Sequence, residues 1–190
     1  MKFWSLRKRY KQLKRDIKFK KSARFLNTSL RDLSFFENYS FNFREDPDPE
    51  VSIIISVHNQ LHYTLNCLYS ISECDDNVAK EIILVNDCST DNTQNVISQI
   101  KGILLINNTE NLGFLKSANT AIRHAKGSYI YLLNNDTKVQ NNYLTSLLSV
   151  FQTQSNVGAV GSKLIFGNNS LQEAGCLVFK NKVIINRGAT

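Results

Sequence analysis

Between residues 51 and 151, short apolar runs alternate with stretches whose apolar residues recur every three or four positions. Val51-Ser52-Ile53-Ile54-Ile55-Ser56-Val57 is a nearly continuous β-branched run, which suits a strand buried on both faces of a parallel sheet. Leu61, Leu65, Leu68 and Ile71 follow at helical spacing. Ile82-Ile83-Leu84-Val85 predicts a second strand, and Val96, Ile97 and Ile100 a helix stripe. Residues 103–106 predict a third strand, Ala118, Ala121, Ile122 and Ala125 a helix, residues 129–133 a fourth strand, and residues 143–151 a last helix. Strand alternating with helix through short polar loops predicts an α/β fold: an open, mostly parallel sheet covered by helices.

The chain before this region has another pattern. Phe3, Leu6, Tyr10, Leu13 and Ile17 fall on one stripe of a helix whose other positions are mostly Lys and Arg. Residues 1–24 hold eleven Lys or Arg against a single acid, Asp16, while the remainder holds twelve against fifteen acids. The net charge of +7 therefore belongs to an N-terminal arm, and the mildly acidic domain argues against a nucleic-acid-binding fold. A basic amphipathic helix with Phe3 and Trp4 at its tip could lie on an anionic membrane surface; its apolar stripe could equally pack on its own domain or on a second copy. Pro47 and Pro49 interrupt any regular element and set an expected boundary between a helical extension, residues 1–46, and a domain, residues 47–190. The aromatics Phe35, Phe36, Tyr39, Phe41 and Phe43 are expected to pack, without an evident partner. With 190 residues and no apolar run near the ~20 needed to span a bilayer, the expectation is one globular domain, cytoplasmic or peripheral at the inner face of the cell membrane. Cys67, Cys74, Cys88 and Cys176 lack metal-site spacing and read as buried free thiols.

In open α/β sheets ligands bind outside the carboxyl ends of the strands. Three polar clusters fall there: Ser56 with His58 and Asn59, Asn86 with Asp87, and Asn134-Asn135-Asp136. Neither GxGxxG after the first strand nor GxxxxGK[ST] occurs, so phosphates need another means of binding. Asp136 at a strand end is placed to hold Mg²⁺ or Mn²⁺, which take one or two protein oxygens and leave the rest to phosphate and water.

Residues 51–59, Val85-Asn86-Asp87-Cys88-Ser89-Thr90-Asp91-Asn92-Thr93, Asn111-Leu112-Gly113-Phe114 with Asn119, residues 125–130 and Leu132-Leu133-Asn134-Asn135-Asp136-Thr137 resemble, in order and spacing, family 2 glycosyltransferases of the GT-A (Rossmann-like) fold. The second segment looks like their DDGSTDxT run and the last like their DxD motif in an Asn-Asn-Asp form, similar to rhamnosyltransferase-like members. The resemblance continues through residues 157–164 and 171–175 and covers residues ~50–190.

The resemblance implies a donor-binding half in which Asp87 bonds the nucleobase, Ser56 and His58 line base and ribose and Asp136 holds Mn²⁺ or Mg²⁺; Asn59 and Asn134 are expected among the donor-binding residues, Asn135 bonds ribose or metal-bound water, and Lys116 either reaches a phosphate or is solvated helix surface. An acceptor carboxylate suits the N–H edge of uracil or thymine, and imidazole can stack on a base. For Asp87 the other reading is a helix cap or turn residue, with Asp91 or Ser89 capping the helix nearer by. The implied reaction is metal-assisted, inverting transfer of a sugar from a UDP- or dTDP-linked donor to a hydroxyl of a saccharide or lipid-linked saccharide acceptor, in surface polysaccharide synthesis. The resemblance puts the catalytic base in an acceptor half beyond Thr190, with Glu173 structural. Two alternatives remain: a catalytically incomplete nucleotide-sugar-binding module, and a membrane-surface or partner-binding protein.

Overall fold

The computed structural model describes residues 30–174, together with the backbone of the strands at 176–178 and 184–186. The expected amphipathic helix of residues 1–24 lies outside the described residues. The described residues divide into two compact units, residues 31–149 and a second that begins at Val150.

The first unit is built on a four-stranded, wholly parallel sheet of β1 (Val51–Val57), β2 (Lys80–Asn86), β3 (Ile103–Asn107) and β4 (Tyr129–Asn134), in the order β3-β2-β1-β4. The central strands β1 and β2 carry the continuous apolar runs because both of their faces are covered, whereas the edge strands are only partly buried, β4 in alternation. On one face Ile53, Ile55, Val57, Ile82 and Leu84 meet Leu65, Leu68 and Ile71 of α2 (Leu61–Glu73), Ile97 of α3 (Thr93–Ile97), and Leu144 and Leu148 of α5 (Tyr143–Thr153). On the other face Ile54, Ile83 and Val85 pack with Ala121 of α4 (Gly113–Ile122). Such a doubly covered, mostly parallel sheet is the Rossmann-like architecture anticipated from the alternation. Two helices are shorter than their apolar spacing suggests: α3 stops at Ile97, before Ile100, and α4 stops at Ile122, before Ala125.

Residues 31–46, assigned from the sequence to the extension, fall in the same compact unit as the sheet. Phe36, Phe41 and Phe43 pack against the core, and the short helix α1 (Leu33–Glu37) brings Phe35 and Phe36 edge-on to Tyr69 of α2. Backbone polar groups fix this clasp to α2: Arg31 N donates to Asn66 Oδ1 at 2.8 Å and Asn66 Nδ2 returns a bond to Arg31 O at 3.0 Å. The Tyr39 hydroxyl donates to Glu73 Oε1 at 2.9 Å. At its far end Gly102, at φ +77°, lies so close to Phe43 that an added Cβ would stand 2.1 Å from its carbonyl oxygen. Of the cysteines whose side chains are described, Cys67 is buried, while Cys74 and Cys88 are half-buried; all three are free.

In the second unit β5 (Leu164–Ile165) pairs antiparallel with β6 (Leu171–Glu173), and β7 (Cys176–Val178) with β8 (Ile184–Asn186). No helix of the described residues is long and apolar enough to cross a membrane.

Candidate functional site

All four strands of the sheet end on one side, and the loops that leave them there are tied together by short polar side chains. After β1 the chain turns through Asn59 and Gln60, both in the left-handed region at φ 58° and 63°. Asn tolerates that conformation because its short side chain can bond locally. Asn59 Oδ1 accepts from the backbone N–H groups of Thr90 at 2.7 Å and Asp91 at 3.2 Å, and its own N–H donates to Ser89 Oγ at 2.8 Å. With its oxygen so occupied, the Asn59 amide turns Nδ2 toward His58 Nε2 at 3.4 Å. His58 Nδ1 lies 2.8 Å from the Asp87 carbonyl oxygen. A carbonyl can only accept, so the shorter contact assigns the hydrogen to Nδ1, and Asn111 Nδ2, 3.3 Å from the same nitrogen, makes no hydrogen bond to it in that tautomer. The exposed imidazole is thereby held in one orientation by two neighbouring loops.

Asp87 follows β2 and is 4% exposed. Its Oδ1 accepts from Asn108 Nδ2 and Leu112 N, each at 2.8 Å, and its Oδ2 from Gly113 N at 2.8 Å. Leu112 and Gly113 open α4, so the carboxylate caps that helix from another strand, where negative charge also suits the helix dipole. Burial works to raise its pKa, but the bonds from Asn108, Leu112, Ser117 and Gly113 outweigh it and hold the carboxyl below its usual range. Four donors of its own chain, Ser117 included, already face the roughly four acceptor positions of the carboxylate, so a ligand N–H would share an oxygen with one of them. Asp91 is also held low: burial opposes ionisation, and the Thr93 hydroxyl and backbone, with Leu61 N, outweigh it. Asp91 Oδ1 accepts from Thr93 N at 3.0 Å and so satisfies the first N–H of α3, although the residue at the cap position is Asn92 and not Asp91.

The turn after β4 contrasts with that arrangement. Asp136 is exposed, and among the described residues its carboxylate has no hydrogen-bond or ion-pair partner. The turn around it is nevertheless anchored: Asn134 O accepts from Thr137 N at 3.2 Å, and Asn135 Nδ2 donates to Thr64 Oγ1 of α2 at 3.1 Å. Beneath it, burial pushes the Cys67 thiol up to about 12, so it stays protonated and donates to Asn134 O at 3.7 Å. Ser56, beside Asn134 in the sheet register, has a buried hydroxyl with no hydrogen-bond partner among the described residues. A buried polar atom left open at a strand's carboxyl end is what a ligand or ordered water would satisfy. Lys116 is exposed on α4 and belongs to none of these bonds.

No group of three or more His, Cys, Asp or Glu among the described residues could hold a metal by itself. One free carboxylate with an exposed amide, Asn134, nearby in the turn fits a hard cation that takes its remaining oxygens from phosphate and water. It does not fit a closed protein cage. The sequence pattern missed Asn108, the backbone N–H groups of Leu112 and Gly113, and Thr64. Asn108 was findable, since it follows the carboxyl end of β3 and strand ends were already the place to look. The backbone donors carry no residue identity to read.

Residues 52–182, more than half of the chain, match the family described as glycosyl transferase family 2. The chondroitin synthase of Pasteurella multocida is 31% identical over 134 residues, 64% of this chain and 14% of that protein. Among solved structures, the mannosyltransferase PcManGT from Pyrobaculum calidifontis, in complex with GDP-Man and Mn2+, is similar with a TM-score of 0.55 and 22% identity, over 78% of this chain and 42% of that one. Staphylococcus aureus TarS 1–349, in complex with UDP-GlcNAc, is similar with a TM-score of 0.50 and 20% identity, over 60% of this chain and 38% of that one. Both structural likenesses bear on the fold, which is theirs. The chain spans less than half the length of the curated relatives it matches first, 37%, 18% and 44%.

Proposed function

The chain belongs to glycosyl transferase family 2, and on that premise we propose that it binds a nucleoside-diphosphate sugar and transfers the sugar to a hydroxyl of a saccharide or lipid-linked saccharide, in surface polysaccharide synthesis. The observation that carries the reading is the contrast between two carboxylates at the same end of the sheet. Asp87 is engaged by donors of its own chain, whereas Asp136 is exposed and without a hydrogen-bond or ion-pair partner among the described residues. The relatives support it in kind: one is a chondroitin synthase, and two structural neighbours are in complex with a nucleotide sugar, one of them also with Mn2+.

In this reading Asp136 holds Mn²⁺ or Mg²⁺ with Asn134 beside it, and Asn135 offers its remaining amide oxygen to ribose or to water. The ion, when bound, supplies positive charge against the leaving diphosphate. His58, oriented by Asp87 O and Asn59, offers its ring face to the base, and the Ser56 hydroxyl finds its partner on the nucleoside. Asp87 shapes the base pocket by holding the loop 108–113, and an N–H of uracil or thymine shares Oδ2 with Gly113 N. Lys116 offers its charge to a phosphate from α4. Transfer is inverting, and no residue of the chain is assigned as its base. The arm at residues 1–24 brings the domain to an anionic membrane face.

Calorimetric titration with UDP, dTDP, GDP and NAD in the presence of Mn²⁺ tests this. UDP or dTDP should bind most tightly and NAD not at all. Preference for GDP would overturn the base assignment, and failure of every nucleoside diphosphate to bind would overturn the whole reading.

A further inference from the structure

Helix α2 does more than fill the core beneath the sheet. Its apolar residues Leu65, Leu68 and Ile71 are buried in the core, and between them Thr64, Cys67 and Ser70, spaced three apart, rise along one side of the helix. Each meets a different point of the loop that follows β4. Thr64 Oγ1 accepts from Asn135 Nδ2 at 3.1 Å, Cys67 Sγ donates to Asn134 O at 3.7 Å, and Ser70 Oγ accepts from Val139 N at 3.0 Å. The hydroxyl hydrogens point elsewhere: Thr64 Oγ1 donates to Gln60 O at 3.3 Å and Ser70 Oγ to Cys67 O at 2.7 Å. Both oxygens therefore face the loop as acceptors. Thr64 is fully buried and Ser70 is 3% exposed, so water does not compete for these bonds.

We propose that Thr64, with Cys67 and Ser70 below it, is a positioning residue for Asp136: the ladder on α2 clamps the loop on both sides of that carboxylate, leaving the carboxylate itself free for the cation. The chain is pinned before Asp136 through Asn134 O and Asn135 Nδ2, and after it through Val139 N. A carboxylate that supplies the protein's single charge to a metal gains most from such fixing, because a loop already held in place loses less backbone freedom on binding. The Thr64 bond also fixes which end of the Asn135 amide is left over, its oxygen. The inference rests on Asp136 as the metal ligand.

The test uses Thr64→Val, which keeps the shape and removes the hydroxyl, Thr64→Ser, which restores it, and Asp136→Asn. Each variant and the wild type are titrated, with and without Mn²⁺, with whichever of UDP, dTDP and GDP the wild type binds most tightly. The readout is the gain in nucleotide affinity that Mn²⁺ brings, with thermal melts alongside. Thr64→Val should lose about tenfold of that gain, the size of one hydrogen bond, with metal-free affinity changed by much less. Thr64→Ser should keep most of it, and Asp136→Asn should lose all of it. If Thr64→Val keeps the full gain while Asp136→Asn loses it, the positioning role is wrong and the metal assignment stands. If Asp136→Asn keeps the gain, both fall. A Thr64→Val protein that melts early and loses metal-free affinity as well makes Thr64 a structural residue only, which also overturns the proposal.

Discussion

Asp87 and Asp136 differ in what their surroundings leave them to do. Three donors at 2.8 Å saturate most of the Asp87 carboxylate, so its charge is spent on joining β2 to the start of α4. Replacing it with Asn sets an amide donor against the Leu112 or Gly113 N–H. The variant should lose about 1–3 kcal/mol of stability by urea unfolding and remain folded. Affinity for UDP should fall about tenfold or more through the lost acceptor, with Mn²⁺–pyrophosphate binding unchanged. Normal stability would remove the capping role, and normal UDP affinity the base role. The pH dependence has a definite sign. Because the folded Asp87 and Asp91 carboxyls titrate below their ordinary range, their stabilisation is present above it and fades as pH falls through the folded values. Acidification from about pH 4 downward should therefore lower the melting temperature of the wild type more than that of Asp87→Asn.

Among the elements, the strands were the most legible: β1 emerged with its expected bounds, since a β-branched run needs no partner to be recognised. Helices α3 and α4 end early because apolar spacing continues past the last helical turn, as Ile100 and Ala125 still pack on the core from outside a helix. The site was half legible. Asp136 and Ser56 could be named from strand ends, while the Thr64–Asn135 bond joins residues 71 apart that no local pattern links. The clasp of residues 31–46 was unreadable for the same reason: its aromatics announce packing, and only the fold supplies Tyr69 as the surface. Gly102 tests that clasp. Its positive φ and the Phe43 carbonyl against it leave no room for a side chain, so Gly102→Ala should destabilise the protein by more than ~1 kcal/mol and speed proteolysis near residue 43. An unchanged melting temperature would mean that the clasp contributes nothing to the unit.

Over the whole molecule, charge separates what geometry does not describe. Residues 1–24 carry all of the excess positive charge and the rest is mildly acidic, so removing them should abolish salt-sensitive sedimentation with anionic liposomes and leave nucleotide affinity unchanged. Retained sedimentation would assign membrane attachment to another surface. The domain's own reading depends on a cation bridging protein and diphosphate through one carboxylate. The most direct measurement is calorimetric titration of the wild type and Asp136→Ala with UDP, each with and without Mn²⁺. The account predicts that Mn²⁺ tightens UDP binding to the wild type and has no effect on the variant, whose metal-free affinity is unchanged. Equal UDP affinity of the wild type with and without Mn²⁺, or an undiminished Mn²⁺ effect in Asp136→Ala, would contradict it.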